Sequence, residues 1–209
     1  MMTEFEEKNK DEIRTLPKIT FKGEIIVVRN SKDEKKALNY LSKQKVIGFD
    51  TETKPSFKKG KPNANKVALL QLATREKAYL FRLNKDKPDK AVIDLLSNDE
   101  IIKAGAAIRD DIKTLQTIYK FKAGSFVDIQ DMAEKAGLNV KSLRKLTAMI
   151  FSKRLSKSQR LSNWEAESFF SMMSIDVERK SSAFFPLRVT LQPIGSCFLM
   201  PKEGMVLLE

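Results

Sequence analysis

The segment VIGFDTET, Val46 to Thr53, ends an apolar run in two carboxylates, Asp50 and Glu52. On a strand, residues two apart point to the same side of the sheet. The spacing therefore predicts two acids side by side at the end of a buried strand. Like charges that close repel one another and raise at least one pKa unless something positive sits between them. A hard divalent cation meets that need, and Mg²⁺ favours one or two carboxylates together with waters and phosphate oxygens. The plainer alternative is that Asp50 and Thr51 begin a turn and Glu52 faces water. A second pair, Asp110 and Asp111, stands in AGAAIRDDIKTL, where a helix follows a short apolar run. Acids favour helix N-termini, so capping is one reading. In the other, one Asp aims from the helix start at the end of the central strand and shares cations with Asp50 and Glu52.

Composition narrows the chemistry further. The chain of 209 residues has no histidine, one cysteine (Cys197) and a formal net charge of +12. Ser-His-Asp triads, histidine bases and histidine-ligated metals are thereby excluded. A single cysteine excludes an internal disulfide and a Cys-rich zinc site. The basic balance points to a polyanionic partner, nucleic acid or a membrane surface. The opening MMTEFEEKNKDEIR is acidic and polar, unlike a signal peptide, and no apolar run is long enough to span a bilayer. The expectation is a soluble, cytoplasmic protein.

The acids need a scaffold, and the hydrophobic pattern supplies one. EIIVVRN (Glu24 to Asn30) reads as a strand, and Ser31 is expected to cap a helix to about Ser42. VIGFDTET is the central strand, and residues 54–66, rich in Pro, Gly and Asn, are a loop. VALLQLAT and KAYLFRL form two further strands joined at Arg75-Glu76, completing an antiparallel meander. Pro88 is expected to open a helix to about Leu96. IIKAGAA is a short buried strand, and Ile108, Ile112, Leu115 and Ile118 mark an amphipathic helix to Lys120. A strand at Phe126-Val127, a helix ended by Gly137 and a helix from Val140 to Phe151 follow. The order implies an α/β fold with a mixed sheet.

These segments, taken in order, resemble the DEDD-type 3′–5′ exonuclease domain of ribonuclease D and the Werner-type exonucleases. VIGFDTET, VALLQLAT, KAGAAIRDDIKTL, SLRKL and RLSNWE carry the likeness, which covers about Glu24 to Glu167. It implies a ribonuclease H-like three-layer sandwich with a mixed, mainly five- to six-stranded sheet. The corresponding division is a flexible lead-in over 1–20, an exonuclease domain over 21–167 and a divergent tail over 168–209. The resemblance also implies hydrolysis of phosphodiester bonds from a single-stranded 3′ end of DNA or RNA. Two Mg²⁺ or Mn²⁺ ions, about 3.5–4 Å apart in such sites, would be held by Asp50, Glu52 and Asp111. Asp50 would bridge both ions, Glu52 would serve the water side and Asp111 the leaving-group side. Gln71 would border the terminal nucleotide.

One family element is absent. The Tyr-x-x-x-Asp motif expected beyond Trp164 has Lys180 at its Asp position, and no Tyr follows Tyr119. Asp176, with Met172 at the Tyr position, is the candidate substitute ligand. The alternative function is therefore a catalytically degenerate exonuclease-like domain that binds nucleic acid without cleaving it. Lys54, Lys58, Lys59, Lys61 and Lys66, with Phe57 among them, follow the acidic strand directly. They are candidates for sequence-independent phosphate contact, as are Lys153, Arg154, Lys157 and Arg160. The competing reading is a solvated loop. Trp164 reads as a packing residue, Lys141, Arg144 and Lys145 as an exposed helix face, and Asp128 and Asp131 as strand-end and cap residues.

Overall fold

The computed structural model describes residues 8–19, 21–53, 67–83, 90–155, 198–199 and 206–207. Its centre is a six-stranded mixed sheet in the order β1-β4-β3-β2-β5-β6. The strands are β1 (Glu24–Val28), β2 (Val46–Thr53), β3 (Val67–Ala73), β4 (Lys77–Arg82), β5 (Ile102–Gly105) and β6 (Phe126–Asp128). Strands β2, β3 and β4 form the expected antiparallel meander, while β1 joins β4, β5 joins β2 and β6 joins β5 in parallel. The helices are α1 (Lys10–Thr15), α2 (Ser31–Leu41), α3 (Lys90–Ser97), α4 (Arg109–Ile118), α5 (Ile129–Lys135) and α6 (Leu143–Phe151). A two-residue pair, β7 (Phe198–Leu199) with β8 (Val206–Leu207), forms a separate antiparallel ladder.

Alternation along β2 decides which side chains meet the core. Ile47, Phe49 and Thr51 are buried, while Asp50 and Glu52 take the opposite parity. Ile47 and Phe49 pack with Leu70 and Leu72 of β3, with Ala37 and Leu41 of α2, and with Ile108 and Leu115 at α4. On the other face, Phe21 covers Ala68, Leu69, Ala78 and Leu80. Phe49 meets Phe126 edge to face, with ring centroids 5.0 Å apart, which ties the central strand to the β6 edge. Among the described residues, no helix is long and apolar enough to cross a membrane.

Several local expectations change. Ser31 is the first residue of α2 and not its cap; Asn30, with an extended backbone, accepts the Asp33 N–H at 3.0 Å. The last described helix begins at Leu143 instead of Val140: Ser142, its N-cap, has an extended backbone, and the Lys141 carbonyl before it accepts from Gln130 Nε2 at 2.5 Å. Lys141 is accordingly not part of the helix that carries Arg144 and Lys145. Residues 8–19 of the expected flexible lead-in carry a capped helix. Asn9 accepts the Glu12 N–H at 3.0 Å, Glu12 returns a carboxylate to the Asn9 N–H at 2.6 Å, and Ile13 is buried. The segment then runs beside the chain that leaves α6, where Arg154 Nε donates to the Leu16 carbonyl at 2.9 Å. Arg154, expected in a phosphate-facing group, thus also ties the N-terminal segment through its Nε. Gly137 ends α5 as expected, at φ +79°.

Candidate active site

Among the described residues, the C-terminal end of β2 has a strand partner on one side and none on the other. Strand β3 runs along it, with Gln71 opposite Asp50 and Leu69 opposite Glu52. Strand β5 pairs with it only as far as Gly48. Beyond that point β5 turns away at Gly105, where a Cβ would lie 2.3 Å from the Phe49 carbonyl oxygen and 2.5 Å from Ile108 Cγ2. Only glycine lets the two backbones come so close. Ala107 then takes the left-handed conformation, φ +59°, and α4 begins two residues later.

Asp128 secures this turn. Its two oxygens accept the Ala107 and Ile108 N–H groups at 3.2 and 3.1 Å, and Oδ1 also accepts the Gln130 N–H at 2.9 Å. It is the cap of α5, as expected, and at the same time it serves the start of α4, where Ile108 offers no side-chain cap. Asp131 forms an ion pair with Arg109 at 2.7 Å.

The result places Asp111 against β2. Thr51 donates its hydroxyl to Asp111 Oδ1 at 2.6 Å, and its backbone N–H to Asp50 Oδ1 at 2.9 Å. Asp50 keeps solvent access at the sheet end, yet the protein crowding its carboxyl, and then the Asp111 charge, push its pKa up to about 6 against the Thr51 N–H. Desolvation also raises Asp111, and Asp110 and Asp128 add to that, while the Thr51 hydroxyl opposes it. Asp110 is different: it is exposed and pairs with Lys113 at 3.5 Å. Glu52 is half-buried and shares the strand parity of Asp50, just before a register shift at Thr53. Gln71 is half-buried beside Asp50 in the ladder.

The fold thus gives Asp50 and Asp111 a common hydrogen-bond partner in Thr51, near enough for the Asp111 charge to raise the Asp50 pKa, with Glu52 and Gln71 on the adjoining strand positions. Among the described residues, no group of three or more acidic, cysteine or histidine side chains is set to hold a metal ion. The donor chemistry nevertheless suits a hard divalent cation, since it is all oxygen and two carboxylates carry raised pKa values that a cation would relieve. Lys54, Lys58, Lys59, Lys61, Lys66, Arg160, Trp164 and Asp176 lie outside the described residues. An open pocket of about 420 Å³ lies around the other side of the α4 start, lined by Arg109, Asp110, Asp128, Asp131 and Lys141 among others, and not by Asp50, Glu52 or Asp111.

Sequence reasoning does not single out Thr51, nor the second duty of Asp128. The signal for Thr51 is its place between two acids on a strand, where opposite parity sends its side chain toward the helix that brings the third.

A family model described as 3′-5′ exonuclease matches residues 25–177, running past Glu167 to take in Asp176. The bifunctional 3′-5′ exonuclease/ATP-dependent helicase WRN of Mus musculus is 33% identical over 159 residues, covering 71% of this chain but 11% of that protein. The chain therefore spans about a tenth of that relative. The Aedes aegypti Nibbler EXO domain superimposes with a TM-score of 0.62 at 21% identity, over 71% of this chain and 79% of that one. Trypanosoma brucei RNase D in complex with RNA U12 gives 0.60 at 22% identity, over 75% and 60%. At those identities the two structures establish the fold, which is that of the RNase D-like exonuclease domains. With the matching family model spanning most of its length, the chain belongs to the 3′-5′ exonuclease domain family.

Proposed function

We propose that this chain removes nucleotides from a nucleic-acid 3′ end by phosphodiester hydrolysis, with Mg²⁺ or Mn²⁺ held by Asp50, Glu52 and Asp111. The observation that carries the reading is the convergence of Asp50 and Asp111 on Thr51 at the end of the central strand. Bound divalent ions in such a site stabilise the attacking and leaving oxygens of an in-line displacement. The protein's part is to keep both carboxylates close while resisting their repulsion. Asp50 and Asp111 stand on two separately anchored elements, with Phe49 beside the one and Ile108 leading into the other both in the core. Gln71, opposite Asp50, is suited to border the terminal nucleotide. Asp176 is the proposed further ligand. The lysines of residues 54–66 would draw in a phosphate backbone without reading its bases.

The test is digestion of 3′-labelled single-stranded RNA and DNA with Mg²⁺, with Mn²⁺ and with chelator. The expected result is cation-dependent release of nucleoside monophosphates that Asp50→Ala abolishes, with nucleic-acid binding retained. An Asp50→Ala variant as fast as the parent would overturn the site assignment. Salt-sensitive binding without cation-dependent turnover would mark the chain as the degenerate, non-cleaving alternative.

A further inference from the structure

Thr51 touches both acids of the candidate site through different atoms. Its N–H reaches Asp50 Oδ1 at 2.9 Å, and its hydroxyl reaches Asp111 Oδ1 at 2.6 Å. The residue is 8% exposed, and it lies on the face of β2 opposite the Asp50 side chain. Its hydroxyl therefore bonds to Asp111 from within the protein, not from the solvent side. The terminal torsion of an aspartate is broad and roughly two-fold, so helix position alone does not fix how the carboxylate is turned. A bond from a buried hydroxyl to one oxygen does fix it, and bonds to a carboxylate are stronger than those between neutral groups.

We propose that Thr51 is a positioning residue: its hydroxyl holds Asp111 Oδ1 so that Oδ2 is turned to a set direction for the cation. The inference rests on the nuclease reading above. Groups that orient a metal ligand commonly change metal affinity by about 10–100-fold when removed. Packing and positioning give opposite orders for two substitutions. Thr51→Val keeps the shape and deletes the hydroxyl, whereas Thr51→Ser keeps the hydroxyl and deletes a methyl group.

The experiment is Mn²⁺ titration of the full-length protein without substrate, followed by electron paramagnetic resonance, on the parent, Thr51→Val, Thr51→Ser and Asp50→Ala. Thermal unfolding is measured on the same samples. The expected outcome is Mn²⁺ affinity at least about 10-fold weaker in Thr51→Val and near the parent in Thr51→Ser, even where Thr51→Ser melts lower. Parental Mn²⁺ affinity in Thr51→Val, with Asp50→Ala binding none, overturns the role of Thr51 and leaves the nuclease reading standing. No Mn²⁺ uptake by the parent overturns that reading, and this inference with it.

Discussion

Asp128 and Ala107 are 21 residues apart in sequence, and the carboxylate of the first accepts the N–H of the second at 3.2 Å while that alanine sits at φ +59°. The bond helps hold a left-handed alanine, a conformation that costs a non-glycine residue about 1–2 kcal/mol. The same carboxylate serves Ile108 and Gln130. Asp128→Ala should therefore lower stability by about 2–3 kcal/mol, through lost charge-assisted bonds and a lost helix cap. Ala107→Gly should match the parent or exceed it by up to about 1 kcal/mol. Urea unfolding of the two variants checks both; equal losses would show that the turn is not strained.

Gly105 marks where β5 leaves the central strand. Any side chain there meets the Phe49 carbonyl oxygen and Ile108, neither of which is the free end of a flexible group. Gly105→Ala should cost at least about 2 kcal/mol, in the upper range for overpacking. Because Ile108 leads directly into α4, the same change should lower activity in the 3′-end assay below what reduced folding explains. Activity per folded molecule equal to the parent would contradict the view that this contact places Asp111.

Much of this arrangement is legible in the sequence because burial leaves a period. The alternation of Ile47, Phe49 and Thr51 against Asp50 and Glu52 announces β2, and Ile108, Ile112 and Leu115 announce α4. The phase of that helix also puts Asp111 on the side of Leu115, one turn away, and leaves Asp110 outside. Helix α1 is harder to see, since its single buried residue, Ile13, makes no periodic stripe. Its trace is the Asn9 and Glu12 capping box. Contacts such as Asp128 with Ile108 and Arg154 with Leu16 have no local signature, because they depend on how distant segments are laid together. Lys103 is the sharpest case: a charged residue in a four-residue strand reads as solvent-facing, and only the tertiary structure reveals its burial.

Lys103 is wholly covered, close beneath the Asn98-Asp99 turn. Its Nζ donates to the Asn98 carbonyl at 2.5 Å and lies 5.2 Å from the Phe126 ring centroid. Desolvation, opposed by Asp99, lowers its pKa from 10.5 to about 8. Between those values the unfolded chain binds the extra proton, so this group's contribution to stability rises with pH through that window. Below about pH 8 the full cost of burying the ammonium remains. Lys103→Met should then stabilise the protein at neutral pH by about 1–2 kcal/mol, with the gain shrinking toward alkaline pH. Denaturant melts across that range check it; a gain that does not change with pH would mean the lysine is not penalised by burial.

Asp50 gives the complementary dependence. Its folded pKa of about 6 stands above the ordinary 3.8. A raised carboxyl contributes stability that is fully present below the unfolded value and is lost as pH rises through the folded one. At neutral pH, with no divalent cation, the parent therefore carries an ionised Asp50 that the fold disfavours. Asp50→Asn removes that burden. The unscreened shift corresponds to about 3 kcal/mol, but solvent access at the sheet end reduces it, and a gain of about 1 kcal/mol is expected. The gain should vanish near about pH 4, where both carboxyl states converge on the neutral form. Millimolar Mn²⁺ should raise the parent's melting temperature and leave Asp50→Asn nearly unmoved, closing the gap from the other side. Circular dichroism melts at acid and neutral pH, with and without the cation, measure all four states. A constant offset between the two proteins at every pH would show that the asparagine acts through packing alone.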